Sequence, residues 1–580
     1  MSAVAPEKPL GRVVGGVVYA RSAPGEGVVL RVIDEVRSDI TLTHEHGVVI
    51  RESGPVAVAT LVEHPAPTMH VATQPARRVS PSRWRRPTGW VIVSIVLAEA
   101  IASLRLGNSA FQDESLYLWA GHQITAHLAH GSPVYGNFSS YFSGSPGVYP
   151  VVASLVDGVW GLAGARAMSL AWMVLATLCV YGITRRLFGS RYGAPAAAAF
   201  SLSAPILFIG HLATFDAMCL GLLALATYAS VRAAATPRLW WAMAVGPIAV
   251  LAVLTKYAGA LFVPSIFAVL VLESIRRRGP RAAATRATVA AAAGVALVAL
   301  VIRVFGTSAL VGLRATTTNR TVLLRSHAWP LISESMRLGG LFAAVALVGW
   351  FLLPRRQRLL GAVLFGTVLL APAYHVLKGE PVSLAKHVGF GLFFAAPLVG
   401  RALGDAAGQL DHHLSGPRFA TALVVGLVLI ATGLTQSSSL SREWPNSDAL
   451  VVTLKSLVRP GSGRVLAEEA EVPRYRLRRM LQPWQWSDLN WFEYTDHQGV
   501  HLTGLDAYRA AIDERYFDVI ELRYGPNAGT AVAIRDDIKR AGGYQLVAQL
   551  PFTTTLGSGA YSLWRLASPS APRTEIGSSS

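Results

Sequence analysis

Long apolar runs that alternate with short basic clusters constrain the fold of this chain more than any other feature. A helix needs about 20 apolar residues to cross the hydrocarbon core of a bilayer, and about eleven such runs follow one another after residue 87. Only 15% of the 580 residues are charged, against about 25% in soluble globular proteins. The pattern predicts a polytopic α-helical membrane protein. The expected spans lie near 88–106, 166–184, 193–211, 214–231, 239–255, 257–275, 284–304, 337–353, 359–377, 388–404 and 418–436.

The basic clusters fall in every second connection and thereby predict the orientation of the chain. Lys and Arg accumulate on the cytoplasmic side of membrane proteins, and here they occur before the first run (RRVSPSRWRRP), after the second (RRLFGSR) and after the sixth (RRRGPRAAATR). We therefore expect a multi-pass protein of the plasma (inner) membrane with a cytoplasmic N-terminus and an external C-terminal segment. These clusters account for the formal net charge of +18, so we expect no nucleic-acid partner.

The chain divides into a membrane core and two flanking regions. Residues 1–87 are rich in Val, Pro and Ser and are expected to form a cytoplasmic extension, partly disordered or with short β-strands. Residues 88–438 form the core, and its first external loop, 107–165, is long for a connection between spans. Residues 439–568 alternate helical and strand patterns, which predicts an external α/β domain. Residues 569–580 have the composition of a disordered tail.

Ionisable residues collect at the external ends of the expected spans. Charged groups at membrane depth are costly, and they are functional candidates by default. The stretch FQDESLYLWAGH at 111–122 places two acids just after the first span, and each later external connection adds at least one ionisable group. This convergence predicts a single site at the external membrane boundary. The residues concerned are Asp113, Glu114, Asp216, Lys256, Arg314, Arg320, Arg325, His375, Lys378, Lys386 and His387.

The two adjacent acids limit the chemistry of such a site. Neighbouring helical residues project about 100° apart, so Asp113 and Glu114 do not face one point. One acid can act as general base towards an acceptor hydroxyl while the other contacts substrate or holds a loop. Nearby cations can neutralise the charge of a departing lipid phosphate. The same acids also suit a plain first helical turn, and Lys256 could simply extend to the surface; both alternatives stay open.

In these residues the chain resembles the GT-C glycosyltransferases. The similarity is to the bacterial branch that contains protein O-mannosyltransferases and lipid A aminoarabinose transferases, a family 39-like group. It covers about 88–405 and depends on the order and spacing of several short motifs. These are QDES at 112–115 followed by LYLWAGH, VYP at 148–150, RRLFG at 185–189, TFDA at 214–217 and TKYAG at 255–259.

The resemblance implies a fold, a reaction and a set of site residues. It implies a GT-C fold and inverting transfer of a hexose or pentose from a polyprenyl-phosphate-sugar donor to a hydroxyl or lipid phosphate. The acceptor is left open among glycan, lipid and protein. No cofactor is implied with certainty, and a divalent cation is left open. The implied residues are Asp113 as catalytic base, Glu114, Asp216, Tyr117 and His122 for substrate, and Lys256, Tyr257, Lys386, His387 and Arg320 for donor phosphate.

One position departs from the pattern of the family, and one other class of protein competes with it. Many relatives have an Arg-Tyr pair where this chain has Lys386 and His387. A secondary transporter or lipid-carrier flippase is the competing interpretation. Transporters usually show internal repeats and polar residues at the membrane midplane. This sequence shows no clear repeat, and its polar groups fall at one end of the spans.

Overall fold

The structure is a computed structural model that describes 87–306, 312–314, 325–408, 417–490, 492–525 and 527–567, and six short N-terminal strands. The chain divides into two units, Met1–Trp84 and Arg85–Ser580. In the first unit the strands form two antiparallel three-stranded sheets. Their bounds are β1 Val13–Val14, β2 Val17–Tyr19, β3 Val29–Arg31, β4 Ser38–Thr43, β5 Gly47–Glu52 and β6 Ala57–Ala59.

Helices form the first part of the second unit. Apart from α2, which is more polar, these helices consist mostly of apolar residues, as expected for segments that contact both lipid and neighbouring helices. In chain order they are α1 Pro87–Leu104, α2 Gln112–His130, α3 Tyr149–Leu187, α4 Gly193–Ser201, α5 Ala204–His211, α6 Phe215–Ala235, α7 Trp240–Thr255, α8 Val263–Arg278, α9 Pro280–Phe305, α10 Ala328–Phe351, α11 Arg358–Lys378, α12 Leu384–Gly408 and α13 Pro417–Leu440.

The polytopic helical fold expected from the sequence is confirmed. Within the described ranges, eight helices are long and apolar enough to cross a membrane, and the bent pair α4–α5 would make a ninth. Two shorter apolar helices, which correspond to α1 and α7, coincide with the first and fifth expected spans. The total of about eleven spans remains a prediction.

One expected span, 193–211, is broken in the structure. Helices α4 and α5 meet at an angle of 64°, because Ser203 is extended (ψ 148°) and Pro205 follows at the second position of α5. Proline has no N–H to donate to the preceding turn. A glycine of α13 also fits closely against the break, since a Cβ on Gly433 would lie 1.9 Å from the carbonyl oxygen of Leu202.

Helix α3 joins two expected elements. Gly161 has φ 66° and ψ −168°, which interrupts the helix between an outer part and the second expected span. A positive φ of this kind is easily adopted only by glycine. The outer part, which begins at Tyr149, lies within the expected loop 107–165, and it continues directly into the second expected span.

The expected C-terminal α/β domain is confirmed. Its main sheet has five strands in the order β12-β13-β11-β7-β8, and β9 pairs with β10 in a separate ribbon. The sheet is mixed, because β7 pairs in parallel with β8 and β11 while β13 is antiparallel to both of its neighbours. In chain order the elements are α14 Asp448–Leu457, β7 Val465–Ala467, α15 Glu471–Arg476, β8 Trp486–Asp488, β9 Glu493–Thr495, β10 His501–Thr503, α16 Gly504–Asp513, β11 Val519–Leu522, α17 Ala528–Ala541, β12 Tyr544–Thr554 and β13 Gly557–Leu566.

The C-terminal domain packs on the end of the helical bundle where α2 begins. Asn108 Nδ2 donates to the carbonyl oxygens of Ser441 and Trp444, both at 2.9 Å. On the outer part of α3, Asp157 accepts hydrogen bonds from Tyr475 and Arg478 at 2.5 and 2.8 Å. The domain therefore covers α2 and α3 at the same end of the bundle as the predicted site.

Candidate active site

A cavity of about 350 Å³ opens at this end of the bundle. Side chains that are far apart in sequence line it because the ends of several helices meet there. Helix α2 contributes Asp113 and Tyr117, the segment after α7 contributes Lys256 and Tyr257, and the start of α12 contributes His387. All five were predicted site residues. Further walls come from Tyr141, Phe142, Phe215, Phe262, His375 and Glu380.

Four charged side chains form a chain of alternating sign beside the cavity. Lys386 Nζ lies 2.5 Å from Asp113 Oδ2 and 3.8 Å from Asp216 Oδ2. Asp216 Oδ1 in turn accepts a hydrogen bond from Lys256. Asp216, Lys256 and Lys386 are buried. The link between Asp216 and Lys256 is buried on both sides, so removal of the Asp216 carboxylate leaves the Lys256 ammonium without its buried counterion and should cost about 3–5 kcal/mol of stability.

Asp113 is the member of this chain that faces the cavity most openly. It is the second residue of α2, where a carboxylate is stabilised by the positive end of the helix dipole. Its side chain is 31% exposed. Oδ2 is held by Lys386, whereas Oδ1 accepts no hydrogen bond from the described residues. Asp113 can therefore be held in place through one oxygen and accept a proton through the other.

Glu114 points away from the cavity and is fully buried. Its Oε1 accepts from Arg166 Nε at 2.8 Å and from the backbone N–H of Ala213 at 2.7 Å. Its Oε2 accepts from Arg166 Nη2 and from the backbone N–H of Phe111, both at 2.7 Å. Arg166 also donates to the carbonyl oxygens of Asn108 and Ser109. This geometry favours a role in holding the start of α2 against α3 over the predicted contact with substrate.

Tyr117 lies one helical turn after Asp113 and forms part of an aromatic wall. Its ring centroid is 4.3 Å from that of Phe215 and 5.1 Å from that of Phe142. Phe142 belongs to the loop between α2 and α3, and Phe215 begins α6 next to Asp216. The wall therefore fixes α2 relative to the acid of α6.

His122 was predicted to bind substrate at this site, but it lies in a different place. Nine residues separate it from Asp113, which corresponds to about 13 Å along a helix. Its Nε2 is 2.5 Å from Asp157 Oδ2, in the contact with the C-terminal domain described above. His122 lines a second cavity, between α2 and that domain.

Two histidines form a pair at the opposite wall of the first cavity. His375 Nε2 lies 2.8 Å from His387 Nδ1, and His375 Nδ1 lies 2.5 Å from the carbonyl oxygen of Glu380. Because a carbonyl oxygen only accepts, Nδ1 of His375 carries a proton and Nε2 accepts from His387 when His375 is neutral. The sequence placed His375 in the fifth external connection but gave it no role. His375 lies just before the short turn between α11 and α12, and His387 lies just after it. This proximity in sequence was the available signal.

The loop between α2 and α3 holds the segment that carries Lys256. The backbone N–H of Tyr257 donates to Ser143 O, and that of Ser145 donates to Leu254 O, both at 2.8 Å. Gly144 lies between these bonds, and a Cβ on it would be 2.1 Å from the carbonyl oxygen of Thr255. Only a glycine allows the two backbones to approach so closely.

An apolar groove of about 610 Å³ adjoins the cavity. Helices α7, α8 and α9 form its walls with small and aliphatic side chains, including Gly246, Val253 and Val298. Tyr257 and Ala260 line both the groove and the charged cavity. The two spaces are therefore adjacent, and one is lined by charged groups while the other is lined by hydrocarbon.

Two arginines and a divalent cation remain from the features considered in the sequence. Arg320 lies outside the described residues. Arg325 is exposed. Within the described ranges, no group of three or more His, Cys, Asp and Glu side chains is arranged to share a metal ion.

Comparison with known proteins supports the expected family. Residues 151–303 match the dolichyl-phosphate-mannose-protein mannosyltransferase family, which corresponds to α3 through most of α9. No curated protein sequence matches the chain significantly.

Solved structures of a glycosyltransferase share the fold. The apo crystal structure of ArnT from Cupriavidus metallidurans aligns with 83% of this chain and 99% of its own, at 16% identity and a TM-score of 0.55. The structure of ArnT bound to undecaprenyl phosphate aligns with 83% and 100%, at 16% identity and a TM-score of 0.50. Neither match supports the transporter alternative. The match of 151–303 to this family and the fold shared with ArnT both agree with the resemblance seen in the sequence.

Proposed function

We propose that the chain transfers a sugar, with inversion, from a polyprenyl-phosphate carrier to a hydroxyl group of an acceptor at the external membrane face. One observation carries this proposal: the charged cavity and the apolar groove share the wall formed by Tyr257 and Ala260. A donor with a long hydrocarbon tail and an anionic head needs such a pair of adjacent spaces. The ArnT structure that shares the fold holds undecaprenyl phosphate, which supports a polyprenyl carrier.

The carrier tail occupies the groove between α7, α8 and α9. Apolar groups line it almost throughout, so the tail can leave the bilayer without losing apolar contacts. Gly246 lets α7 approach α9, since a Cβ there would lie 2.0 Å from Ala290 O. The phosphate then lies beyond Tyr257, where Lys256 and His387 line the cavity. His375 holds the ring of His387 in position through their 2.8 Å contact.

Asp113 acts as the general base. Its Oδ1 takes the proton of the acceptor hydroxyl while the hydroxyl oxygen bonds to the anomeric carbon of the donor sugar. The bond between that carbon and the phosphate oxygen breaks on the opposite face, so a single displacement inverts the anomeric centre. The electron pair of the broken bond stays on the carrier, which leaves as a polyprenyl phosphate monoester.

The Asp113–Lys386 pair keeps the charge of the site constant during this step. The phosphodiester of the donor carries one negative charge, and the departing monoester gains a second. Asp113 becomes neutral at the same time because it has accepted the proton. Lys386 thereby loses its ionic partner as the phosphate gains a charge, and its ammonium can stabilise the leaving group.

The same proposal includes the orientation of the protein in the plasma membrane. Basic clusters such as Arg185–Arg186 and Arg276–Arg278 lie at the ends of α3 and α8, away from the helix ends that form the cavity. Basic residues of this kind face the cytoplasm. The site and the C-terminal domain then face outward.

Transfer of labelled sugar from a panel of undecaprenyl-phosphate sugars to cell-envelope acceptors tests the proposal. Asp113→Asn should lower kcat by about 10²–10⁴-fold, since it removes the base, and should leave binding of undecaprenyl phosphate intact. Asp506→Asn, a change at an exposed acid of the C-terminal domain, is the matched control and should behave as wild type. Full transfer by Asp113→Asn would refute the assignment of the base. Absence of carrier binding in the wild-type protein would refute the proposed donor.

A further inference from the structure

A second cavity, of about 560 Å³, lies between α2 and the C-terminal domain. Its volume falls within the range of ligand-binding pockets, about 300–1,000 Å³. Helix α2 and the loop after it form one side, and residues 478–484 of the domain form the other. The same helix and loop also wall the catalytic cavity. We call this second cavity the outer cleft.

The lining of the outer cleft combines aromatic surfaces with hydrogen-bond donors. Trp484 and Tyr135 are 37% and 40% exposed, respectively, so both present part of an aromatic ring to the cleft. Arg464 lies 5.3 Å from the ring centroid of Trp484. Arg479 is exposed and forms no ion pair with the described residues. No lining residue is an acid.

A buried donor in the outer cleft lacks a partner. Gln123 is only 7% exposed, and its Oε1 accepts a hydrogen bond from the backbone N–H of Tyr135. Its Nε2 is buried and has no partner within the described ranges. A buried polar group without a partner is unfavourable in free energy, because it has given up its hydrogen bonds to water. A ligand hydroxyl that accepts from Nε2 would recover this energy.

Hydrogen bonds hold the two walls of the outer cleft together. Asp157 binds His122 of α2 and both Tyr475 and Arg478 of the domain. Burial and the Asp157 contact raise the pKa of Tyr475 above its usual range, so its hydroxyl remains a donor. The cleft is therefore preorganised, which lowers the entropic cost of binding a ligand.

The position of the outer cleft limits the size of its ligand. His122 and Asp113 are about 13 Å apart along the helix, and they project from different faces of it. A monosaccharide in the cleft therefore cannot also present a hydroxyl to Asp113. A chain of linked sugars can occupy the cleft at one end and reach the cavity at the other.

We propose that the outer cleft binds the sugar chain of an oligosaccharide acceptor whose terminal hydroxyl reaches Asp113. This inference rests on the proposed function and names its acceptor class. Trp484 and Tyr135 offer apolar ring surfaces for the C–H faces of sugar rings, while Gln123 and Arg479 donate to hydroxyl oxygens. A lipid chain would leave these donors unpaired.

Binding of defined oligosaccharides to the full-length Asp113→Asn protein in nanodiscs tests this inference. The probes are an array of linear neutral and anionic oligosaccharides of increasing length, with hydroxyl-bearing peptides alongside. We expect longer saccharides to bind, Trp484→Ala and Arg479→Ala to weaken binding at least tenfold, and Trp484→Phe to restore it. Arg459→Ala, at an exposed arginine of another surface of the domain, should bind as the parent does.

A measurement of undecaprenyl phosphate binding shows whether a negative result contradicts this inference or the proposed function. Undecaprenyl phosphate should bind equally to the parent and to the variants of the outer cleft. Carrier binding without saccharide binding, or binding of peptides alone, would overturn the inference and leave the glycosyltransferase proposal standing. Saccharide binding that is unaffected by Trp484→Ala and Arg479→Ala would overturn the placement of the acceptor in this cleft. Loss of carrier binding in the parent would instead count against the proposed function.

Discussion

Lys386 Nζ lies 2.5 Å from Asp113 Oδ2 and joins two residues that are 273 positions apart in sequence. Each belongs to the first turn of its helix, α2 for Asp113 and α12 for Lys386. The pair therefore forms only when the first turns of the two helices lie at the same depth in the bundle. It connects the proposed base to the proposed phosphate-binding groups.

Loss of the Lys386 ammonium should impair transfer more than folding. Lys386→Met keeps most of the side-chain length but leaves Asp113 without its counterion and removes one of the two lysines proposed to stabilise the departing phosphate. Removing one such electrostatic group costs about 10²–10³-fold in kcat, and we expect a decrease of that size. Lys386→Arg should retain part of the activity. Lys378→Met, at an exposed lysine of α11, is the control, and equal transfer rates for both Met variants would contradict the role of Lys386.

Glu114 should matter for stability, because it is buried and accepts four hydrogen bonds. Glu114→Gln leaves Arg166 without its counterion. It also places an amide N–H₂ where a carboxylate oxygen accepted hydrogen bonds, so that N–H groups face one another. The expected cost is about 3–5 kcal/mol, seen as a lower Tm of the purified protein. Glu334→Gln removes the acid from a partly exposed pair with Arg337 and should cost only about 0–1 kcal/mol. An unchanged Tm with lost transfer would instead assign Glu114 to the chemistry.

A methyl group on Gly144 should disturb the donor site. It would lie 2.1 Å from the carbonyl oxygen of Thr255, so the loop between α2 and α3 and the segment of Lys256 would have to separate. We expect Gly144→Ala to weaken binding of undecaprenyl phosphate at least tenfold. Gly147→Ala lies in the same loop, where the nearest atom to the new methyl group is Ser145 Oγ at 3.9 Å. Equal carrier affinities for the two variants would show that the loop does not position Lys256.

The stability of the C-terminal domain should fall as the pH rises. Burial, with a smaller contribution from Glu468, raises the pKa of Glu521 from 4.5 to about 8. The folded state therefore holds this proton more tightly than the unfolded state. The free energy of unfolding of the domain is compared here with that of a domain in which this glutamate keeps its usual pKa. Relative to that reference, it decreases from pH 4.5 upwards and levels off above about 8.

Glu521→Gln should remove most of this pH dependence. Trypsin cleavage of the domain in the full-length protein, compared at about pH 7 and about pH 9 and normalised to denatured protein, measures it. The variant should resist cleavage at the higher pH better than wild type. Glu493→Gln, at an exposed acid, should not. A variant less resistant than wild type at the higher pH would mean that the ionised carboxylate stabilises the domain.

The sequence alone was sufficient to predict that Asp113, Asp216, Lys256 and Lys386 share one end of the bundle. The membrane fixes the depth of each span, so the alternation of basic connections decides which helix ends lie together. The break between α4 and α5 could also have been anticipated from Pro205.

The rotation of each helix about its axis could not be predicted in this way. It decides that Asp113 faces the cavity while Glu114 is buried against Arg166, a residue 52 positions away. The position of His122 outside the first cavity has the same cause, because its partner Asp157 also binds Tyr475 of the C-terminal domain, 318 positions beyond Asp157. Contacts of such long range depend on tertiary packing, which local periodicity does not encode.

The proposed orientation can be tested with single cysteines. Both native cysteines, Cys179 and Cys219, are buried, so they should react little with a membrane-impermeant maleimide. Ser456→Cys places an exposed thiol in the C-terminal domain, and Arg238→Cys places one between α6 and α7, at the end of α6 opposite Asp216.

In intact cells the maleimide should label Ser456→Cys and leave Arg238→Cys unmodified, because a cation-rich connection faces the cytoplasm. Permeabilised cells should label both, which controls for the reactivity of each thiol. The reverse pattern in intact cells would place the catalytic cavity in the cytoplasm. A polyprenyl-phosphate sugar would then have to be used on the inner face of the membrane, and an acceptor in the cell envelope would be out of reach.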